Sequence, residues 1–207
     1  MDKYMLTYET WNKLALLYQE KFMNLEIYNE TYYCFCKLLE KRGNKILEIG
    51  CGPGNITRHL VSYKADFRIT AIDVAPEMVK LAKANNPTVT VEVMDCRNLT
   101  GFCELFDGII TGFCFPYLSK EDCSTFIKSC SDMLQPHGIL YISAIKGDYS
   151  QSRFESGSTG YKAFVYYYDE EYFETVLEKN GLNILHKFGI QYKVQHKPDQ
   201  VHLVYIA

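Results

Sequence analysis

Residues 46–57 read Ile-Leu-Glu-Ile-Gly-Cys-Gly-Pro-Gly-Asn-Ile-Thr: a β-prone run, a loop with glycine at positions 50, 52 and 54, then an amphipathic helix start. Glycine reaches φ > 0 without strain and lets backbone approach a ligand closely, so a strand, a glycine turn and a helix make a small-molecule cradle. Glu48 is out of place if the strand only packs. A carboxylate buried in a parallel sheet costs several kcal/mol unless it is paired or hydrogen-bonded. It therefore holds the glycine loop or faces a cationic ligand.

The rest of the chain alternates strands and helices around this unit. The pattern predicts strands at Lys45–Ile49, Arg68–Asp73, Val89–Val93, Phe106–Thr111 and Gly138–Ala144. Helices fall at Ile56–Val61, from Pro76 to Asn85, and after Ser119, a capping residue with Asp122 three positions on. Gln135-Pro-His-Gly138 reads as a turn. Later come Ala163–Tyr168, a helix over Asp169–Lys179 and two strands, Asn183–Gln191 and Val201–Ile206, whose helix-free link makes them antiparallel neighbours. This alternation implies an α/β fold, a mostly parallel sheet with helices on both faces. Before residue 43, apolar residues recur at helical spacing from Trp11 to Tyr18 and from Tyr28 to Leu39, predicting two amphipathic helices. The expected organisation is one domain: a helical cap over 1–42 and a core over 43–207.

The loop spacing Glu48-x-Gly50-x-Gly52-x-Gly54 resembles motif I of the class I S-adenosylmethionine-dependent methyltransferases, an acidic residue followed by G-x-G-x-G. The resemblance covers residues 45–145 by motif and 161–207 by architecture. It implies a Rossmann-like, doubly wound seven-stranded sheet of order 3-2-1-4-5-7-6, an antiparallel C-terminal hairpin and an N-terminal helical lid. It implies S-adenosyl-L-methionine as cofactor. Gly50, Cys51, Gly52 and Gly54, with the following helix start, would receive the methionine carboxylate. Asp73, with Val74 beside it, would take the ribose hydroxyls; a cap on the helix at Pro76 is the plainer reading of Asp73. Asp95 would take the adenine amino group and the Cys96 amide the ring, with Met94 and Met78 on its faces, although Met78 also suits a core. Thr111, Gly112 and Phe113 would pass beneath the sulfonium, Gly112 because backbone must come near the ligand. Trp11 and Tyr18 would close a lid; a packing layer over the sheet is the alternative.

The acceptor is expected to be a small molecule. Phe115-Pro116-Tyr117 lacks the Asn- or Asp-Pro-Pro-aromatic run of the adenine-N6 and glutamine-amide enzymes. Alignment supplies much of the rate in such a displacement, and a base is optional. Weak catalytic candidates are Tyr117, Lys146 and Asp148. His137 lies at the wrong end of the sheet, His59 on a helix, and His186, His196 and His202 on the terminal strands. Seventeen tyrosines, dense over 161–172, suit a small amphipathic acceptor or, equally, a strand with a packed aromatic face.

A net charge of −3 over 207 residues disfavours nucleic acid. No run is long enough to span a membrane, and the N-terminus lacks a signal peptide, so a cytoplasmic protein is expected. Eight scattered cysteines without metal-site spacing are read as reduced thiols, and no metal is expected. Two other functions remain: a cofactor-binding module acting through a protein partner, and a nicotinamide-dependent oxidoreductase. The second needs a third glycine at the G-x-G-x-x-G spacing, which this loop lacks.

Overall fold

The computed structural model describes residues 2–157, 159–193 and 199–207. His196 lies outside them. Seven strands form one sheet: β1 (Lys45–Ile49), β2 (Arg68–Asp73), β3 (Thr90–Val93), β4 (Phe106–Thr111), β5 (Leu134–Ile145), β8 (His186–Tyr192) and β9 (Gln200–Ile206). Their order is β3-β2-β1-β4-β5-β9-β8. Counting only these strands, that is the expected 3-2-1-4-5-7-6. The first five run parallel, while β9 is antiparallel to both β5 and β8.

Period-two alternation sorts the side chains to the two faces. Ile110, Tyr141 and Val204 pack with Phe35, Leu39, Ile56 and Leu60 on one face, which belongs to α3 (Asn29–Leu39) and α4 (Asn55–Tyr63). Ile109, Leu140, Ile142 and Leu203 pack on the other with α6 (Lys120–Met133) and α7 (Glu170–Lys179). Helix α5 (Pro76–Asn85) sets Val79 and Ala82 against Ala71 and Val91. No helix among the described residues is long and apolar enough to cross a membrane.

Three features depart from expectation. The N-terminal region holds three helices, not two: α1 (Lys3–Lys13), α2 (Ala15–Phe22) and α3. Leu14, at φ −95° and ψ 9°, breaks the run between the first two. Helix α3 is a full layer of the core, with Phe35, Cys36 and Leu39 wholly buried. A hairpin of β6 (Arg153–Ser156) and β7 (Lys162–Val165) was not expected; Arg-Phe-Glu-Ser carries too little apolar signal to read as a strand. Finally, the 135–138 turn is absorbed into β5 as a bulge. The register with β4 jumps from Phe106–Leu134 to Gly108–Ile139, and His137 takes φ +66°.

Helix α1 crosses the carboxyl edge of the sheet and is fixed at both ends. Thr10 Oγ1 donates to the Lys162 carbonyl (2.6 Å), and Thr7 Oγ1 accepts the Phe164 N–H (3.0 Å). Tyr4 donates its hydroxyl proton to Asp122 and accepts the Ser119 N–H (3.0 Å) on the other side.

Candidate active site

The carboxyl ends of β1, β2 and β4 open into two adjoining cavities, of about 420 Å³ and about 570 Å³. This is the switch point where strand order reverses, the place ligands take in such sheets. Gly50, Gly52, Gly112, Phe113 and Tyr117 line both. So do Trp11 and Tyr18, whose rings meet edge to face at 5.6 Å, with Tyr117 on the far side of Trp11 at 5.5 Å. These three aromatics form the partition between the cavities.

The smaller cavity gathers Asp73, Val74, Met78, Asp95 and Cys96. Asp73 ends β2 and is pinned by backbone: its carboxylate accepts the Gly52 N–H (2.8 Å) and the Ala75 N–H (2.9 Å). Burial pushes its pKa up, against the pull of those amides. It therefore braces the glycine loop and turns the chain into α5 as well as facing the cavity. Met78 is buried beneath it against Ala15 and Ala75, as core. Asp95 is not a free carboxylate. Burial alone would raise its pKa, but the Arg97 guanidinium grips both oxygens (2.6–3.1 Å) and holds it below the ordinary value. An adenine amino group reaching Asp95 would have to share it with Arg97.

The glycine loop works differently from the expectation. Gly50 and Cys51 donate their N–H groups to the Ile72 carbonyl, Gly52 to Asp73 and Gly54 to the Cys51 carbonyl. These amides are spent inside the protein, so a carboxylate would have to be met by the first turn of α4. Gly52, at φ +53°, faces open cavity: a Cβ there would meet only Tyr18, at 3.7 Å. Gly54 lines neither cavity, and a Cβ on it would strike the Asn86 amide at 2.3 Å. Nor is Gly112 small for a ligand's sake, since its missing side chain is replaced by Ile56 from α4. Cys51 lines only the larger cavity.

Glu48 and Thr111 lie behind the cavities. Glu48 is wholly buried and accepts the Thr57 hydroxyl (2.6 Å) through Oε2, while no described group partners its Oε1 or Thr111 Oγ1. Burial, opposed by the Thr57 bonds, pushes the Glu48 carboxyl up to about 8. Glu48 thus ties β1 to α4, the two elements that flank the glycine loop. An open face over Gly52 and an acidic floor at Asp73 fit a polar, partly cationic ligand such as S-adenosylmethionine.

Of the catalytic candidates only Tyr117 is in the site, and burial raises its phenol far above neutrality, so it is no base. Lys146 and Asp148 line neither cavity. Lys146 pairs with Glu170, and Asp148 caps a short turn through the Ser150 N–H (2.8 Å). His59 packs on Tyr32 at 5.4 Å. The residues missed from sequence are Tyr4 and Tyr8 over the smaller cavity and Tyr28 and His202 in the larger. His202 was legible in principle. An antiparallel strand that follows β5 starts at the carboxyl edge, so its first residues reach the ligand side.

A family profile described as a methyltransferase domain matches residues 46–138. A protein of Invertebrate iridescent virus 6 described as a methyltransferase is 30% identical over 139 residues, 67% of this chain and 49% of its own. The ubiquinone biosynthesis O-methyltransferase of Xanthomonas euvesicatoria is 30% identical over 112 residues, 52% of this chain and 45% of its own. The chain thus spans about half the length of these two curated relatives. Among solved structures, the 1,6-didemethyltoxoflavin-N1-methyltransferase of Burkholderia thailandensis superposes with a TM-score of 0.73 at 17% identity, covering 98% of this chain and 87% of that one.

Proposed function

Since this chain belongs to the class I S-adenosylmethionine-dependent methyltransferase family, we propose that it moves a methyl group from S-adenosyl-L-methionine to a small-molecule acceptor. The observation that carries this is the pair of cavities meeting at Trp11, Tyr18 and Tyr117. One has the acidic residues expected for the nucleoside; the other is larger and aromatic, and the two touch where a methyl group would cross. The cofactor supplies a sulfonium-activated methyl group for in-line displacement. The protein's own contribution is alignment and exclusion of water, and no base of neutral pKa is needed if the acceptor binds deprotonated.

In this reading Asp73 holds the ribose and the smaller cavity the adenine, between Met94 and Val74. Helix α1 roofs the nucleoside, while Trp11 and Tyr18 close over the sulfonium as lid residues. A small acceptor is supported by the size and aromatic lining of the larger cavity. The names of the Xanthomonas and Burkholderia proteins support it also, since each is named for a small-molecule reaction.

Calorimetric titration with S-adenosylmethionine and S-adenosylhomocysteine tests the proposal, with NADH as a control. Micromolar binding of the first two is expected, weakened at least about a hundredfold in Asp73→Ala by loss of two charge-assisted hydrogen bonds. Binding of NADH alone would overturn the reading, as would no binding of any of the three.

A further inference from the structure

Resting on the methyltransferase reading above, we infer that His202, fixed by Tyr28, is the hydrogen-bond donor that positions the acceptor, so that the larger cavity takes a flat aromatic or heteroaromatic molecule by an oxygen or an sp² nitrogen. His202 stands opposite Ile145, the last residue of β5, and so lies at the carboxyl edge with its ring in the larger cavity. Three aromatic rings enclose the imidazole: Tyr28 at 6.0 Å and Tyr192 at 4.8 Å, both nearly parallel to it, and the edge of Phe113 at 4.9 Å. Phe113 also lines the smaller cavity, so a single ring separates His202 from the methyl donor's side.

The two ring nitrogens are unequally served. Nδ1 meets the Tyr28 hydroxyl at 2.5 Å, a short bond between buried groups. Nε2 meets Gln200 Oε1 at 3.3 Å, longer than the 2.9–3.0 Å typical of N–H···O bonds. With the Gln200 amide oxygen turned toward it, Nε2 carries the proton, which leaves Nδ1 bare to accept from the Tyr28 hydroxyl. Burial keeps both groups in these forms, raising the Tyr28 phenol and lowering the His202 imidazolium to about 4. The cavity therefore presents a neutral N–H whose bond to Gln200 is easily exchanged for a better one. The charged groups lining the cavity are engaged elsewhere: Glu155 accepts from Tyr167 and Arg153 (2.7 Å each), and Lys21 lies over the Phe22 ring. The His202 Nε2–H is thus a directed donor among aromatic faces, which suits a planar molecule carrying an acceptor atom.

His202 is a positioning residue on this account, and its test needs a readout that packing alone would not move. With histidine labelled with ¹⁵N, the full chain is examined at pH 7 as its S-adenosylhomocysteine complex, and 4-nitrophenol is added as the probe. The His202 signals, assigned by their loss in His202→Phe, should show a neutral ring protonated at Nε2, with that signal moving on addition of the probe. His202→Phe should weaken probe binding at least about tenfold, and His202→Gln, which restores an N–H near Nε2, should recover most of it. Tyr28→Phe should release the ring into a mixture of tautomers. S-adenosylhomocysteine affinity should stay unchanged throughout, showing that the variants fold. A ring protonated at Nδ1, or a probe that fails to bind or is indifferent to His202→Phe, overturns this inference and leaves the cofactor reading intact. Failure of S-adenosylhomocysteine to bind the unaltered protein overturns both.

Discussion

Gly52 and Gly54 share a motif and a positive φ, yet they answer to different constraints. Gly52 has space above it, so Gly52→Ala adds only the left-handed backbone cost, about 1–2 kcal/mol, together with a methyl group in the smaller cavity beside Tyr18. Gly54→Ala has the same backbone cost but also drives Asn86 out of place. The buried Asn86 amide then loses its bonds to the Gly54 and Ala82 carbonyls. A total of about 2–4 kcal/mol is expected. Thermal unfolding should therefore rank Gly54→Ala well below Gly52→Ala, whereas S-adenosylhomocysteine titration should single out Gly52→Ala as the binding defect. The spacing of the motif was legible; which glycine packs against a neighbour and which faces open cavity was not, because that depends on α5, distant in sequence. The same holds for Lys146 and Asp148, which stand after β5 in sequence but point to Glu170 and to their own turn. Lys146→Ala and Asp148→Ala should keep kcat/KM within about twofold, since neither residue lines a cavity; a tenfold fall in either would return it to the site.

The strands were the most legible elements. Lys45–Ile49, Arg68–Asp73 and Phe106–Thr111 were read with the bounds they have, because β-branched runs end at glycine, aspartate or a turn. The hairpin of β6 and β7 was not, and it is what α1 leans on. Its backbone meets Thr7 and Thr10, two hydroxyls on a helix of weak amphipathic pattern. Tyr4 latches the other side of α1, with the Arg97 guanidinium 4.1 Å from its ring centroid and Asp122 and Ser119 at its hydroxyl. Because α1 roofs the smaller cavity, loosening it should matter to the cofactor more than to the core. Tyr4→Phe removes a hydrogen bond to a charged group, about 1.5–3 kcal/mol. Amide exchange along α1 should rise at least about tenfold while that of β1 and β4 stays fixed. S-adenosylhomocysteine should dissociate faster in the same variant. Unchanged exchange in α1 would show that the two threonines hold it without Tyr4.

At the scale of the whole molecule, the buried ionisable groups oppose one another across the pH range. Burial raises Glu48 from the ordinary 4.5 to about 8, so the folded chain binds a proton that the unfolded chain has lost. Stability from that group is complete below pH 4.5 and is lost as pH rises through 8. Burial lowers His202 from 6.5 to about 4, so here the unfolded chain holds the extra proton. Its stability is complete above pH 6.5 and is lost as pH falls through 4. Asp73 sides with Glu48 and His59 with His202, each in direction. Near pH 5.5 Glu48 and His202 each differ by about 0.9 proton between folded and unfolded chains and cancel, so the unfolding temperature should peak in that region. From there to pH 8 the chain should lose roughly 1–2 kcal/mol, the Glu48 loss less the His202 gain. Melting curves from pH 4 to 9 on three proteins separate the two groups. Glu48→Gln should abolish the decline between pH 6 and 8, while His202→Gln should keep that decline and move the peak toward acid. A peak near pH 7 in the unaltered protein, or one that neither substitution moves, would mean that these buried groups do not govern its stability.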